Sequence, residues 1–352
     1  MWAKLGRVIS ASLNARAARA PWSVEDAMRT FVALGWSVVA ILVAALPLGA
    51  EEPGGANART YSLKFGWPES GKVKVVNEVL KKGNTSEQSY VLKWAPDEQN
   101  QHLVMEYTEF DLLAFNGARA PDPKFLRIKG MLEQSGMLTA FPKYQIEKTG
   151  EFKGALGLEE LEEKVLAMVR QTRQMTDAEV EQVRATLKSP AIRSKFVEKV
   201  ADPWNGWCGV WVGREIIPGK ETASEFDGDG DKGVATFKGE GPVEDRGASC
   251  LRLTMRVERS GEVVKALVRE MLKGAPAAEL QDNDFPIEAM VTEIQGTYEI
   301  RTLRPLVVTM VRKMQPKDPN SDLAKLGLES HKYTFHWEDL PAPDTRIETL
   351  EK

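Results

Sequence analysis

The chain is short of the residues that most catalysis needs. It has two cysteines and three histidines among 352 residues. The histidines are His102, His331 and His336. His331 and His336 are five apart, so on a strand they face opposite ways, and the three make no metal set. Neither a G-x-S-x-G nucleophile turn nor a G-x-x-x-x-G-K-[ST] phosphate loop occurs, which removes two common enzyme signatures. Basic blocks are also missing. The formal net charge is -4; residues 1–50 hold five Lys/Arg and two Asp/Glu, or +3, which leaves -7 for residues 51–352. An acidic chain of this kind argues against nucleic acid, and against docking on anionic lipid by charge alone. No cofactor is implied.

What is present begins with an uncharged run, FVALGWSVVAILVAALPLGA, at residues 31–50. Arg29 precedes it and Glu51-Glu52 follow it. A basic flank, an apolar core and a small-residue end read as a secretory signal cut after Ala50. The alternative is an uncleaved anchor, since the run is just long enough to span a bilayer. Translation could start at Met1 or at Met28, which alone would open a compact signal. No cysteine stands at the cut, so a lipid anchor there is not expected. The remainder should be exported, to the periplasm or the medium.

Beyond Ala50 three parts are expected: a β-rich half at 51–156, helices at 157–203 and a second β-rich half at 204–352. Val73 and Val75, then Tyr90, Leu92 and Trp94, then Leu103, Met105 and Tyr107, alternate with polar residues as strands of an antiparallel meander do. Phe125 to Gln134 reads as a short helix. Leu158, Leu161, Val165, Met168, Val169 and Thr172 make one helical stripe, with Glu159 and Glu160 in its first turn. Thr176-Asp177-Ala178-Glu179 is a capping box for a second helix, and Ser189-Pro190 opens a third, which Asp202-Pro203 should end. The stretch 204–212 then reads as a strand with Trp207 and Trp211 on one face. Leu251 to Glu258 is the cleanest alternation, Ser260 to Leu272 reads as a helix, and Tyr333, Phe335 and Trp337 share a strand face. The expected fold class is α+β, mainly antiparallel β in two curved sheets or half-barrels, with a central helical segment.

The order of features has a parallel. T-G-x-F at Thr149 to Phe152, L-G-L-E-E-L from Leu156, the Trp/Gly-rich run at 204–213 and a Cys-bearing strand from Ala248 to Val257 follow one another. In this the chain resembles an uncharacterised group of secreted or surface bacterial β-rich proteins, many of them lipoproteins. The resemblance implies a surface or secreted location and brings no catalytic residues.

Three sets of residues could carry function. In an exported protein Cys208 and Cys250 should form a disulfide. Alternatively, Asn205 to Trp211 is similar to the G-x-C-G run of papain-like proteases, and Cys208 could serve a hydrolase with His331 or His336 as base and Asp339 nearby. Against that, Val210 to Val212 are β-formers where the thiolate needs a helix. Asp227, Asp229 and Asp231 resemble a calcium loop, although Lys232 and Lys238 occupy the positions where Gly and Glu belong. Finally, Trp94, Tyr107, Trp207, Trp211, Tyr333, Phe335 and Trp337 could line a ligand cavity in a curved sheet, or simply form core. The leading expectation is a non-enzymatic exported envelope protein that binds an apolar molecule or another envelope protein.

Overall fold

The computed structural model describes residues 59–81, 83–134, 141–173, 176–188, 190–228, 231–264, 287–318 and 328–340. The expected signal at 31–50 lies outside them, as does most of the helix expected at 260–272, of which residues 261–264 are helical. Among the described helices none is long and apolar enough to cross a membrane.

Thirteen strands are described. β1 (Tyr61–Ser62) and β7 (Glu215–Ile216) form a small antiparallel ribbon. The others make one sheet: β2 (Gly71–Lys81), β3 (Asn84–Pro96), β4 (His102–Phe115), β5 (Lys143–Glu147), β6 (Phe152–Leu156), β8 (Glu221–Gly228), β9 (Asp231–Asp245), β10 (Ala248–Ser260), β11 (Ile287–Glu299), β12 (Pro305–Pro316) and β13 (Leu328–His336). The sheet has eleven strands in the order β6-β5-β4-β3-β2-β13-β12-β11-β10-β9-β8 and is open, with β6 and β8 at its edges. Every pairing is antiparallel.

Two separate sheets were therefore the wrong expectation. The last strand returns to the first long one: β13 pairs with β2 from Glu329–Lys81 to His336–Lys74 and welds the two halves together. The physical reason is that β2 and β13 both carry a buried alternating face, Val73, Val75 and Asn77 against Tyr333 and Phe335. Each would otherwise be an apolar edge strand, which invites pairing. The edge β8 instead carries Glu221 and Glu225, charges that discourage a further partner.

Four helices are described: α1 (Pro123–Gln134), α2 (Leu158–Arg173), α3 (Asp177–Leu187) and α4 (Pro190–Trp207). Asp122 caps α1 by accepting from the Lys124 amide at 2.7 Å. α2 to α4 follow the predicted order, and Leu158, Leu161, Leu166 and Val180 are buried. They are tied to one another by Arg184–Glu163 at 2.9 Å and by Arg193–Glu159.

α4 overruns its expected end. It continues through Pro203 to Trp207, and a single 3-10 turn at Gly209–Trp211 follows in place of the expected strand. Proline removes one helical donor. The compensation is visible in spacing: Trp204, Trp207, Cys208 and Trp211 lie at i, i+3, i+4 and i+7, a helical face, and all four are fully buried. Gly206 lets this helix lie against β12, since a Cβ there would meet Met310 Sδ at 2.4 Å.

The main core lies between α4 with its 3-10 turn and one face of the sheet, hereafter the covered face. Trp67, Trp94, Trp204, Trp207, Trp211, Phe335 and Trp337 pack in it with ring centroids 5–6 Å apart, at the tilted and edge-on angles aromatic pairs favour. Four of the six indole donors find carbonyls or hydroxyls: Trp94 donates to Pro68 O (2.8 Å), Trp204 to Gly150 O (3.0 Å), Trp337 to Pro305 O (2.8 Å) and Trp211 to the Tyr298 hydroxyl (2.9 Å), which passes the chain on to Gly206 O.

Candidate functional site

Of the seven aromatics that could either line a cavity or form core, six are core. Trp94, Trp207, Trp211, Tyr333, Phe335 and Trp337 are buried against one another, and Tyr107 is half-buried at their margin. Where a lining role would have needed open space, the protein's own α4 packs against the sheet.

Cys208 and Cys250 are free, which corrects the disulfide expectation. Both are buried, yet they serve different carbonyls. Cys208 Sγ donates to Leu303 O across the core at 3.8 Å, and Cys250 Sγ donates to Ala248 O on its own strand at 3.4 Å. Burial pushes the Cys208 thiol far above its ordinary range and Cys250 up to about 12. The alternative catalytic arrangement is not assembled either. Cys208 follows the last turn of α4, where the helix dipole disfavours a thiolate. His331 turns its Nε2 to Glu329 at 3.1 Å, and His336 lies on the opposite face of β13. Asp339 receives Arg304 Nη1 at 2.8 and 3.0 Å and orients no histidine.

Asp227 lies opposite Lys232 and Asp231 opposite Gly228 at the start of the β8–β9 hairpin; Asp229 lies outside the described residues. Among the described residues no group of three or more candidate ligands could hold a metal ion.

A different feature stands out. The covered face should be apolar along its whole length, but one row across it is charged. Lys81 on β2 is opposite Glu329 on β13, which is opposite Arg312 on β12, which is opposite Thr292 on β11. These positions continue the buried alternations of their strands: Val73, Val75 and Asn77 lead in phase to Lys81, and Leu306, Val308 and Met310 lead to Arg312. Lys81 Nζ donates to Glu329 Oε1 at 3.1 Å, and the two side chains are 14% and 12% exposed. Arg312, itself nine-tenths buried, faces Glu329 at 3.8 Å and Asp202 of α4 at 3.6 Å. Asp202 thus anchors the helix over the row. On β10, fully buried Arg259 lies over the Phe226 ring at 5.2 Å.

The row is under-satisfied. Arg312 reaches its acids at ion-pair rather than hydrogen-bond distances, and its Nε–H has no partner among the described residues. The same holds for the Thr292 hydroxyl, the Asn77 amide oxygen, the Trp207 indole N–H and His331 Nδ1, all buried atoms. Four phenols stand beside this stretch. Tyr107 and Tyr144 share a hydrogen bond between their hydroxyls, Tyr90 meets Tyr107 edge-on, and Tyr333 stacks on His331. Burial holds all four phenols well above their ordinary range.

This site was not anticipated, although a signal was available. Lys81, Arg312, Glu329 and His331 are polar residues in phase with apolar, inward-facing neighbours. Only the pairing of strands 248 residues apart brings them together. On the opposite face, a groove of about 890 Å³ is lined by Glu221, Glu225, Arg256, Glu258 and Glu288 among others; it is open and charged. No protein-family model matches the chain, and no curated protein sequence matches it.

Proposed function

We propose that the chain is a non-enzymatic, exported envelope protein that holds an apolar small molecule with a polar end on the covered face of its sheet. Export is supported by the uncharged run at residues 31–50 with its basic flank. A curved, half-barrel shape is supported by reach. Trp204 contacts the β5–β6 turn at Gly150, and Trp211, seven residues on, packs on Phe237 of β9 at 6.0 Å. Those two places are about nine strands apart in the sheet order. In a flat sheet they would be about 40 Å apart, whereas seven helical residues rise about 10 Å. That reach favours a sheet curled around α4.

The observation that carries the binding reading is the charged row in the covered face. Burying such charges contributes little or nothing to stability compared with apolar side chains of the same volume. Buried donors and acceptors left without partners cost more still. A ligand that meets these groups would account for both. Along β13 the inward aromatics Phe335 and Tyr333 give way to His331 and Glu329, and that change is the boundary at which an apolar body and a polar end would separate.

Native mass spectrometry of the mature protein, purified without detergent from the organism that makes it, tests this directly. The expected spectrum contains a species heavier than the chain by one small molecule that organic solvent extracts. Protein that carries nothing and that neither fatty acids nor fatty alcohols stabilise would sink the reading.

A further inference from the structure

We propose that the Nε–H of Arg312 and the hydroxyl of Thr292 form the seat of an oxyanion, a carboxylate or phosphate on the polar end of the bound molecule. This rests on the binding reading above and gives the ligand a charge. Arg312 and Thr292 are directly opposed on β12 and β11, so their Cβ atoms lie about 5 Å apart and their side chains leave the same face. Both groups are buried and both lack a partner among the described residues. Arginine has no acceptor, so only an electron-rich group can fill its Nε–H. A hydroxyl beside it can donate to the same ligand atom or to the second oxygen of a carboxylate. The two Nη groups already face Asp202 and Glu329, which leaves the Nε–H as the donor of this guanidinium without a partner.

His331, diagonal to Arg312 on the neighbouring strand, keeps Nδ1 free to meet a second polar atom of the same end group.

Calorimetric titration with three probes tests the seat: dodecanoate, dodecanol and inorganic phosphate. Hydrogen bonds to charged groups predict that dodecanoate binds at least about tenfold more tightly than dodecanol. Thr292→Val keeps the shape and the ion pairs; it should weaken dodecanoate by about twofold to tenfold and dodecanol by less, so that the preference for the acid narrows. Arg312→Met should erase the preference altogether. If that variant does not fold, Thr292→Val still decides the matter. Equal binding of acid and alcohol by the native protein overturns the seat while leaving the binding reading intact, and so does a Thr292→Val protein that keeps the full preference. Binding of phosphate with no contribution from the alkyl chain supports the seat, assigns it to a free anion and sinks the apolar-ligand reading. No binding of any probe overturns both.

Discussion

Removing Arg312 should cost more stability than its modest hydrogen bonding suggests. At 3.6 Å and an effective dielectric constant of about 20, its attraction to Asp202 is about 4–5 kcal/mol before desolvation is set against it. Breaking a buried pair by deleting one partner typically costs about 3–5 kcal/mol, because the remaining charge is stranded. Here Glu329 keeps Lys81 at 3.1 Å, so only part of that loss is expected for the pair it forms. Arg312→Met should therefore lower the unfolding free energy by about 3 kcal/mol. Asp202→Asn should cost somewhat less, since Arg312 retains Glu329 at 3.8 Å. The double variant should lose clearly less than the sum of the singles, with a coupling of about 1–3 kcal/mol. Urea unfolding of the four proteins at neutral pH measures all of these. Single losses under about 0.5 kcal/mol, additive within error, would refute the idea that Asp202 ties α4 to the charged row.

Other consequences follow from particular contacts. Gly150→Ala should destabilise by at least about 2 kcal/mol, because Gly150 has φ +95° and a Cβ would meet the Phe65 Cβ at 2.6 Å; a thermal melt of the variant indistinguishable from that of the native protein would contradict this. Thiol labelling at pH 8 without reductant should modify neither Cys208 nor Cys250 in the native protein and both after unfolding, whereas a disulfide would leave both unlabelled in each state. His336 has its pKa lowered by burial and by nearby Arg246 and Lys74, so the unfolded chain binds its proton first. The stability it contributes is present above about pH 6.5 and is lost as the pH falls through the lowered folded value, and His336→Gln should flatten that limb of a melting-temperature profile.

Much of the fold could be read from local pattern, because period-two and period-3.6 alternation depend on neighbours in sequence. Leu251 to Val257, the meander from Val73 to Tyr107 and the starts of α2 and α3 are of this kind. What could not be read depends on distance or on competing signals. The junction of β2 with β13 is a pairing of chain ends and leaves no local trace. Trp204, Trp207 and Trp211 are β-formers by propensity, and Asp202-Pro203 is a stop signal, yet burial of three indoles on one helical face outweighs both. The same error hid the site. With the tryptophans read as a strand, the helix that covers this face of the sheet was missing. The in-phase charges at Lys81, Arg312 and Glu329 then had nothing to stand against. Cys208 and Cys250 were paired on the habits of exported proteins, while their geometry assigns each thiol to its own carbonyl.

The central claim is that the covered face beside the charged row receives a ligand. The most direct measurement is photolabelling with a dodecanoate analogue that carries a diazirine at the end of its chain, followed by peptide mapping. The claim predicts saturable labelling of covered-face residues beside the row, such as Val79 and Met310, that unlabelled dodecanoate suppresses. Labelling spread over exposed residues such as Leu126 and Met131, or none that competition removes, would contradict it.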